Sequence, residues 1–362
     1  MRTNLCDTFG IEHPVFGFTP SEHVAAAISR AGGMGVLGCV RFNDAEDLDR
    51  ALTWMDENTD GKPYGVDIVM PAKIPTEGTQ IDLDKLIPQG HRDFVDRTLL
   101  SLGVPPLPEG AGSEGVLGWL HSVARSHIDV ALEHPIRLIA NALGSPPADV
   151  IERVHAAGVP VAALAGKASH ARRHVENGVD IVVAQGYEAG GHTGEVATMV
   201  LVPEIADAVD VPVLAAGGIG SGRQAAAALA LGASGVWMGS YWLTTAEYAL
   251  GNSSTQEALL AAGSSDTVRT RIYTGKPARL LKTRWTEAWT SAEAPDPLPM
   301  PLQNILVSEA HQRIARSADP SVVSMPVGQV VGRMNEVRPV AEVMAELVRE
   351  FDETVERLTK LR

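Results

Sequence analysis

Short, almost wholly apolar runs recur along this chain, and each ends in glycine or a turn residue. Eight stand out: Pro14–Phe18, Gly35–Gly38, Gly65–Met70, Ile136–Asn141, Val159–Gly166, Ile181–Gly186, Val211–Gly217 and Gly235–Gly239. Most are rich in Val, Ile and Ala and lack polar/apolar alternation, which marks strands buried on both faces of a parallel sheet. Between them lie segments of helical period: Ser21–Ala31, Asp44–Glu57, Pro146–Ala157, Ala168–Asn177, Leu201–Ala208 and Gly222–Leu231. Ser21 is a natural N-cap, and Gly158, Gly178 and Gly232 stand where helices stop. Strand and helix alternate every 20 to 30 residues or so, the βα unit, and this predicts a (β/α)8 TIM barrel.

Two stretches break the rhythm. Residues 71–115 are rich in Pro and Gly and insert after the third strand, and we read them as an excursion over the rim, a candidate lid. After Gly239 the pattern turns mainly helical, with Gln256–Ala262, Gln303–Ser317 and the charged Val340–Leu361. The expected organisation is a barrel over 1–242 and a smaller, mainly helical C-terminal region over 243–362 packing on it. A length of 362 residues alone would allow two domains, but α/β barrels reach this size as one.

Composition narrows the partners. Thirty Lys and Arg against 44 Asp and Glu give a net charge of −14, which disfavours nucleic acid and anionic membranes. The two cysteines, Cys6 and Cys39, have neither metal spacing nor a disulfide framework around them. With no apolar leader and no apolar run of 18 residues, the expectation is a cytoplasmic protein acting on a small molecule. A homodimer is kept as a candidate assembly.

The chemistry concentrates at the glycine-rich strand ends. In AAGGIGSGR, Gly217 and Gly218 close a strand and Ser221 or Gly222 opens a helix, so exposed amides and the helix dipole favour a phosphate. A lone Gly-Gly pair would be a tight turn and nothing more. Here a second glycine-ended strand follows at Gly239-Ser240, and phosphate sites of barrels lie after strands seven and eight. In QGYEAGGHTG, Gln185 can hydrogen-bond a flat heterocycle, while Gly190 and Gly191 allow close backbone approach. His192 follows with no apolar period around it. It is our candidate catalytic residue, the alternative being an ordinary surface-loop histidine. Glu188 reads as a capping or salt-bridge residue. His121, His127, His134, His155, His170 and His174 read as solvated helix positions, His13, His91 and His311 stand away from any glycine-rich strand end, and His23 is a weaker second candidate. No HExxH spacing occurs, and no metal is expected. GGIGSGR lacks the dinucleotide spacing and its distant acid, and no GxSxG elbow or P-loop is present.

Together these residues resemble the nitronate monooxygenase family, formerly 2-nitropropane dioxygenases, over roughly residues 10–340. AQGYEAGGHTG (184–194) is similar to the family's signature loop, VPVLAAGGIGSGRQAAAALALGASGVWMGS (211–240) to its phosphate-binding region, and YTGKPARLLKT (273–283) and GQVVGRM (328–334) to its C-terminal motifs. The resemblance implies an FMN-dependent barrel enzyme that oxidises alkyl nitronates with O2 to a carbonyl compound and nitrite. It implies His192 as the catalytic histidine, flavin contacts from Gln185 and Gly190, and a phosphate held by Gly218 and Trp237-Met238-Gly239-Ser240. Asp67 stands where the family has an asparagine that contacts the flavin. The first strand, Pro14-Val15-Phe16-Gly17-Phe18-Thr19-Pro20, departs from the family's Ala-Pro-Met segment. Related flavin enzymes with the same loop reduce enoyl or CoA thioesters. The alternative activity is therefore an NAD(P)H-dependent flavin reductase of an acyl thioester, with Phe16, Phe18 and the 71–115 excursion lining an apolar pocket. A non-catalytic flavin-binding protein is the third reading.

Overall fold

The computed structural model describes residues 1–70, 83–109 and 121–361. Its strands are β1 (Val15–Thr19), β2 (Met34–Gly38), β3 (Tyr64–Ile68), β4 (Ile139–Asn141), β5 (Val161–Ala165), β6 (Ile181–Gln185), β7 (Gly191–His192), β8 (Val213–Ala216), β9 (Gly235–Met238), β10 (Thr267–Thr270) and β11 (Ala278–Leu281). Eight of them close a parallel barrel in the order β1-β2-β3-β4-β5-β6-β8-β9, and β9 returns to β1 through Val15↔Val236 and Phe16↔Trp237. This is the (β/α)8 barrel that the apolar runs predict.

The runs lack polar alternation because both faces of each strand are covered. Phe16, Val36, Leu138, Ile181, Val183, Leu214 and Trp237 point inward and form one packed interior. Their strand neighbours Val15, Val182, Val213 and Val236 pack outward beneath helices, as do Leu37, Val66 and Val161. A short helix that the sequence reading did not anticipate, Asn4–Phe9, adds Leu5, Cys6 and Phe9 to the interior cluster. Phe9 meets Phe16 edge-on, 5.4 Å between ring centroids. Phe16 is therefore fully enclosed and cannot line an open pocket, whereas Phe18, two residues nearer the strand end, stacks at 6.3 Å on Trp237.

The outer helices begin where side chains can take up their free amides. Ser21, Asp44 and Ser221 accept from the amides of Val24, Asp47 and Gln224 at the starts of Glu22–Arg30, Ala45–Asn58 and Gly222–Ala230. The C-terminal helix Val340–Thr359 lies across Gly222–Ala230 and Glu22–Arg30, burying Val343, Met344 and Leu347 in the same outer core. Within 83–109 the excursion forms the helix Gln89–Ser101, whose Phe94, Val95 and Leu99 share a core with Trp285, Trp289, Leu306 and Ile314. Arg313 ties down its end through the carbonyls of Val104 and Pro105 at 3.1 and 2.9 Å. The rest of the candidate lid, 71–82 and 110–115, lies outside the described residues.

Two histidines expected on solvated faces are buried, because their helical positions face the barrel, and a third is held by carboxylates in a turn. His127 is 0% and His174 5% exposed. His174 donates from Nε2 to the Leu164 carbonyl (3.1 Å) and accepts from Ser145 Oγ at Nδ1 (2.6 Å). His134 is clamped between Asp56 at 2.7 Å and Asp49 at 3.1 Å.

Candidate active site

The predicted site residues gather at the carboxyl ends of the barrel strands, the face that carries function in this architecture. Asp67 is in β3 and Gln185 ends β6, while Gly217-Gly218 follow β8 and Gly239-Ser240 follow β9. Trp237 is inside the barrel and Met238 faces the helices, where its carbonyl accepts Trp242 Nε1–H at 2.8 Å. Of that quartet, Trp237 and Met238 supply packing, and the turn itself is Gly239-Ser240.

The backbone after β8 requires glycine. Gly217 and Gly218 have φ of 105° and 69°, left-handed values that side chains resist. Such turns direct successive amides toward one concavity suited to an anion. The start of the following helix is already occupied: Gly222 N–H donates to Glu350 Oε2 at 3.0 Å and Gly220 N–H to Gln224 Oε1 at 2.9 Å. The donors left for a phosphate are thus those of the Gly217-Gly218 turn and of the turn opening at Ser240, which has no side-chain cap. Two glycine turns side by side on a barrel rim, with a buried carboxyl, Asp67, whose Oδ1 has no partner among the described residues, suit the phosphate and heterocycle of a flavin nucleotide.

The loop that follows β6 carries Tyr187 to His192 and is fixed from three sides. Glu188 accepts the amide (2.9 Å) and hydroxyl (2.9 Å) of Thr198, capping the next helix as its loop position suggested. Gly190 packs directly on residues 327–328, and a Cβ there would lie 2.7 Å from the Gly328 amide nitrogen. Gln329 donates its amide to the Glu188 carbonyl at 2.9 Å, and the Gly328 amide donates to Ser240 Oγ at 2.8 Å, tying both site loops to one segment.

The third restraint is a strand pairing. β7 joins β11 antiparallel, in the register Ala278↔His192 and Arg279↔Gly191, and β10 completes a three-stranded sheet. Arg279, 2% exposed, donates from Nε and a terminal nitrogen to the Tyr187 carbonyl at 3.2 and 3.0 Å and lies 4.6 Å from the Tyr187 ring centre. Thr274 Oγ1 lies 2.6 Å from His192 Nε2. Among the described residues no hydrogen bond reaches Nδ1 of His192, which leaves it for a ligand. Burial, and next the positive charge of Lys276, lower the His192 pKa to about 4, so the ring is neutral at physiological pH. Residue-level reasoning missed Thr274, Lys276 and Arg279, although all three stand in the YTGKPARLLKT motif. His23, the second candidate, rests edge-on against Trp54 at 4.3 Å instead.

A parallel barrel with paired glycine turns at its rim and a histidine beside them, in a chain whose family match spans nearly its whole length, places it in the class of flavin-dependent oxidoreductases. The chain belongs to the family described as nitronate monooxygenase, whose model matches residues 2–350. It is 51% identical to a Mycobacterium tuberculosis protein named "Putative monooxygenase Rv1533", over 100% of this chain and 99% of that one. It is 34% identical to an indene-carboxyl-CoA dehydrogenase of Rhodococcus jostii, over 78% of this chain and 66% of the relative. Among solved structures, the nitroalkane oxidase of Streptomyces ansochromogenes superposes with a TM-score of 0.82 at 26% identity, covering 98% of this chain and 99% of its own. Among the described residues no helix is long and apolar enough to cross a membrane.

Proposed function

We propose that the chain binds FMN at the barrel rim and oxidises alkyl nitronates, and the nitroalkanes that ionise to them, with O2 to a carbonyl compound and nitrite. The observation that carries this reading is the neutral His192 ring, oriented through Nε2 by Thr274. A neutral imidazole is the form that accepts a proton from a carbon acid. Its proton comes from the carbon beside the nitro group, and the electron pair left behind moves onto the nitro oxygens. The Lys276 ammonium, close enough to bias the His192 proton, favours the resulting anion. Gly190, Gly191, Gln185 and Asp67 face the heterocycle, and the Gly217-Gly218 and Gly239-Ser240 turns hold its phosphate. Bound FMN supplies the electron acceptor that no side chain provides.

A second reading, an NAD(P)H-dependent reductase of an enoyl or other acyl thioester, is favoured by one feature. Residues 267–284 carry Arg269, Arg271, Lys276, Arg279, Lys282 and Arg284 and no acidic residue, in a chain of net charge −14. Arg269 and Arg279 stand directly opposite each other across β10 and β11, and Arg269 Nε is buried without a partner among the described residues. Like charges so placed repel; the Tyr187 and Thr193 carbonyls and the Tyr187 ring take up part of that charge, and a phosphate-bearing carrier would add an anion for the rest.

Anaerobic mixing of the yellow protein with ethylnitronate tests the first reading, and bleaching of the visible band is the expected result. An unchanged spectrum, with steady NADPH oxidation dependent on an enoyl thioester, overturns it in favour of the second. The His192→Asn variant is expected to keep its yellow colour and to lose about 10²-fold or more in turnover of neutral nitroalkanes. Undiminished turnover removes the base from His192.

A further inference from the structure

Asp67 is a buried carboxyl that the fold does not use. It sits in β3 between Gly38 of β2 and Ala140 of β4. Its neighbours Val66 and Ile68 point outward into the helix layer, so strand alternation turns Asp67 into the barrel. It is 2% exposed, its Oδ1 is enclosed without a partner, and no ion pair reaches it among the described residues. Buried charged groups are normally paired or bonded, as Arg279 is here. Burial pushes the Asp67 pKa up to about 7. Among the described residues no charged group compensates it. Toward β2 stands Cys39, a thiol kept protonated by burial and by Asp67 itself, and Arg41 acts on that thiol. On the β4 side, Asn141 is spent on Met70 and on the Gly144 carbonyl.

We propose that Asp67 sets the electron affinity of the bound flavin through its own protonation: the neutral carboxyl favours adding electrons to the ring system and the carboxylate opposes it. The inference rests on the FMN reading above. Electrons entering the ring bring negative charge beside Asp67, and a carboxylate there takes up one proton from solvent in compensation. An asparagine at this position is polar but has no proton to exchange, so the coupling belongs to the carboxyl.

The test compares wild type with Asp67→Asn, both loaded with FMN, by spectroelectrochemistry at pH 5.5 and 8.5. The expected result is equal midpoint potentials at pH 5.5. At pH 8.5 the wild type favours the oxidised form about tenfold more, or about 30 mV for a two-electron couple. Parallel pH profiles in the two proteins overturn the inference while leaving the FMN reading intact. If neither protein binds FMN, both fall. Wild type alone gives a check that needs no variant: its visible flavin band is expected to shift with a one-proton transition near pH 7, and a band constant from pH 5.5 to 8.5 overturns the proposal. Without flavin, the Tm advantage of Asp67→Asn is expected to widen from pH 5 to about pH 7 and then level off, because the unfolded carboxyl ionises near its ordinary value while the folded one holds its proton up to about 7. A constant gap counts against an uncompensated Asp67.

Discussion

Thr274→Val asks whether the C-terminal region positions the histidine. Valine keeps the branched shape and most of the volume of threonine and deletes the hydroxyl that meets His192 Nε2 at 2.6 Å. Thr274 is 6% exposed, so water has little room to replace that hydroxyl. A hydrogen bond of this kind is worth about 1 kcal/mol net, and leaving a buried polar nitrogen unpaired costs about 1–3 kcal/mol. Taking about 2 kcal/mol, all of it felt when the ring takes up its proton, kcat/KM falls about 30-fold. The assay is kcat/KM for nitroethane between pH 5 and 8, with Tm measured alongside. Thr274→Ser, which retains the hydroxyl, is expected to recover most of the loss. A Thr274→Val enzyme within about twofold of wild type across that range would refute the argument that this contact orients the base.

Two further outcomes follow from the buried histidines. Because the Lys276 charge helps to hold the His192 pKa down, Lys276→Ala is expected to move the acid limb of the kcat/KM profile to higher pH; an unmoved limb shows that burial alone sets it. His311, stacked at 4.9 Å on Tyr273, is pushed down to about 4 by burial, and its Nε2 has no partner among the described residues. Between its ordinary value and about pH 4 the unfolded chain takes up that proton first, so stability declines as pH falls through this window. His311→Phe is expected to lessen the drop in Tm between pH 7.5 and pH 5, and an unaltered drop would exclude His311 from the acid sensitivity.

The barrel was legible because its strands are apolar on both faces and its helices begin at Ser21, Asp44 and Ser221, signals written within a few residues. The glycine turns were legible because phosphate sites demand a backbone that few residues adopt. What stayed hidden is non-local. β7 has two residues and no period of its own, and β10, Thr267–Thr270, is partly exposed and holds one apolar residue, Val268. Their pairing depends on chain segments far apart in sequence. The same limit applies to His127 and His174, since helical spacing gives a face but not what that face meets. The six-residue helix Asn4–Phe9 is too short to show a period, and only the open end of the barrel explains it.

The pairing of β7 with β11 has a consequence for how the enzyme is made. Translation delivers His192 well before Ala278, its partner in the sheet, and before Val327 and Gly328, on which Gly190 rests. Domains begin to form from the end that emerges first. The eight barrel strands are complete by Met238, so the rim and its glycine turns can assemble while the histidine loop is held only from within the barrel, through Glu188 and Thr198. The histidine loop is therefore the last part of the rim to be pinned, and a chain that has lost everything beyond Met238 lacks the strand, the glycine contact and the Thr274 hydroxyl that hold it.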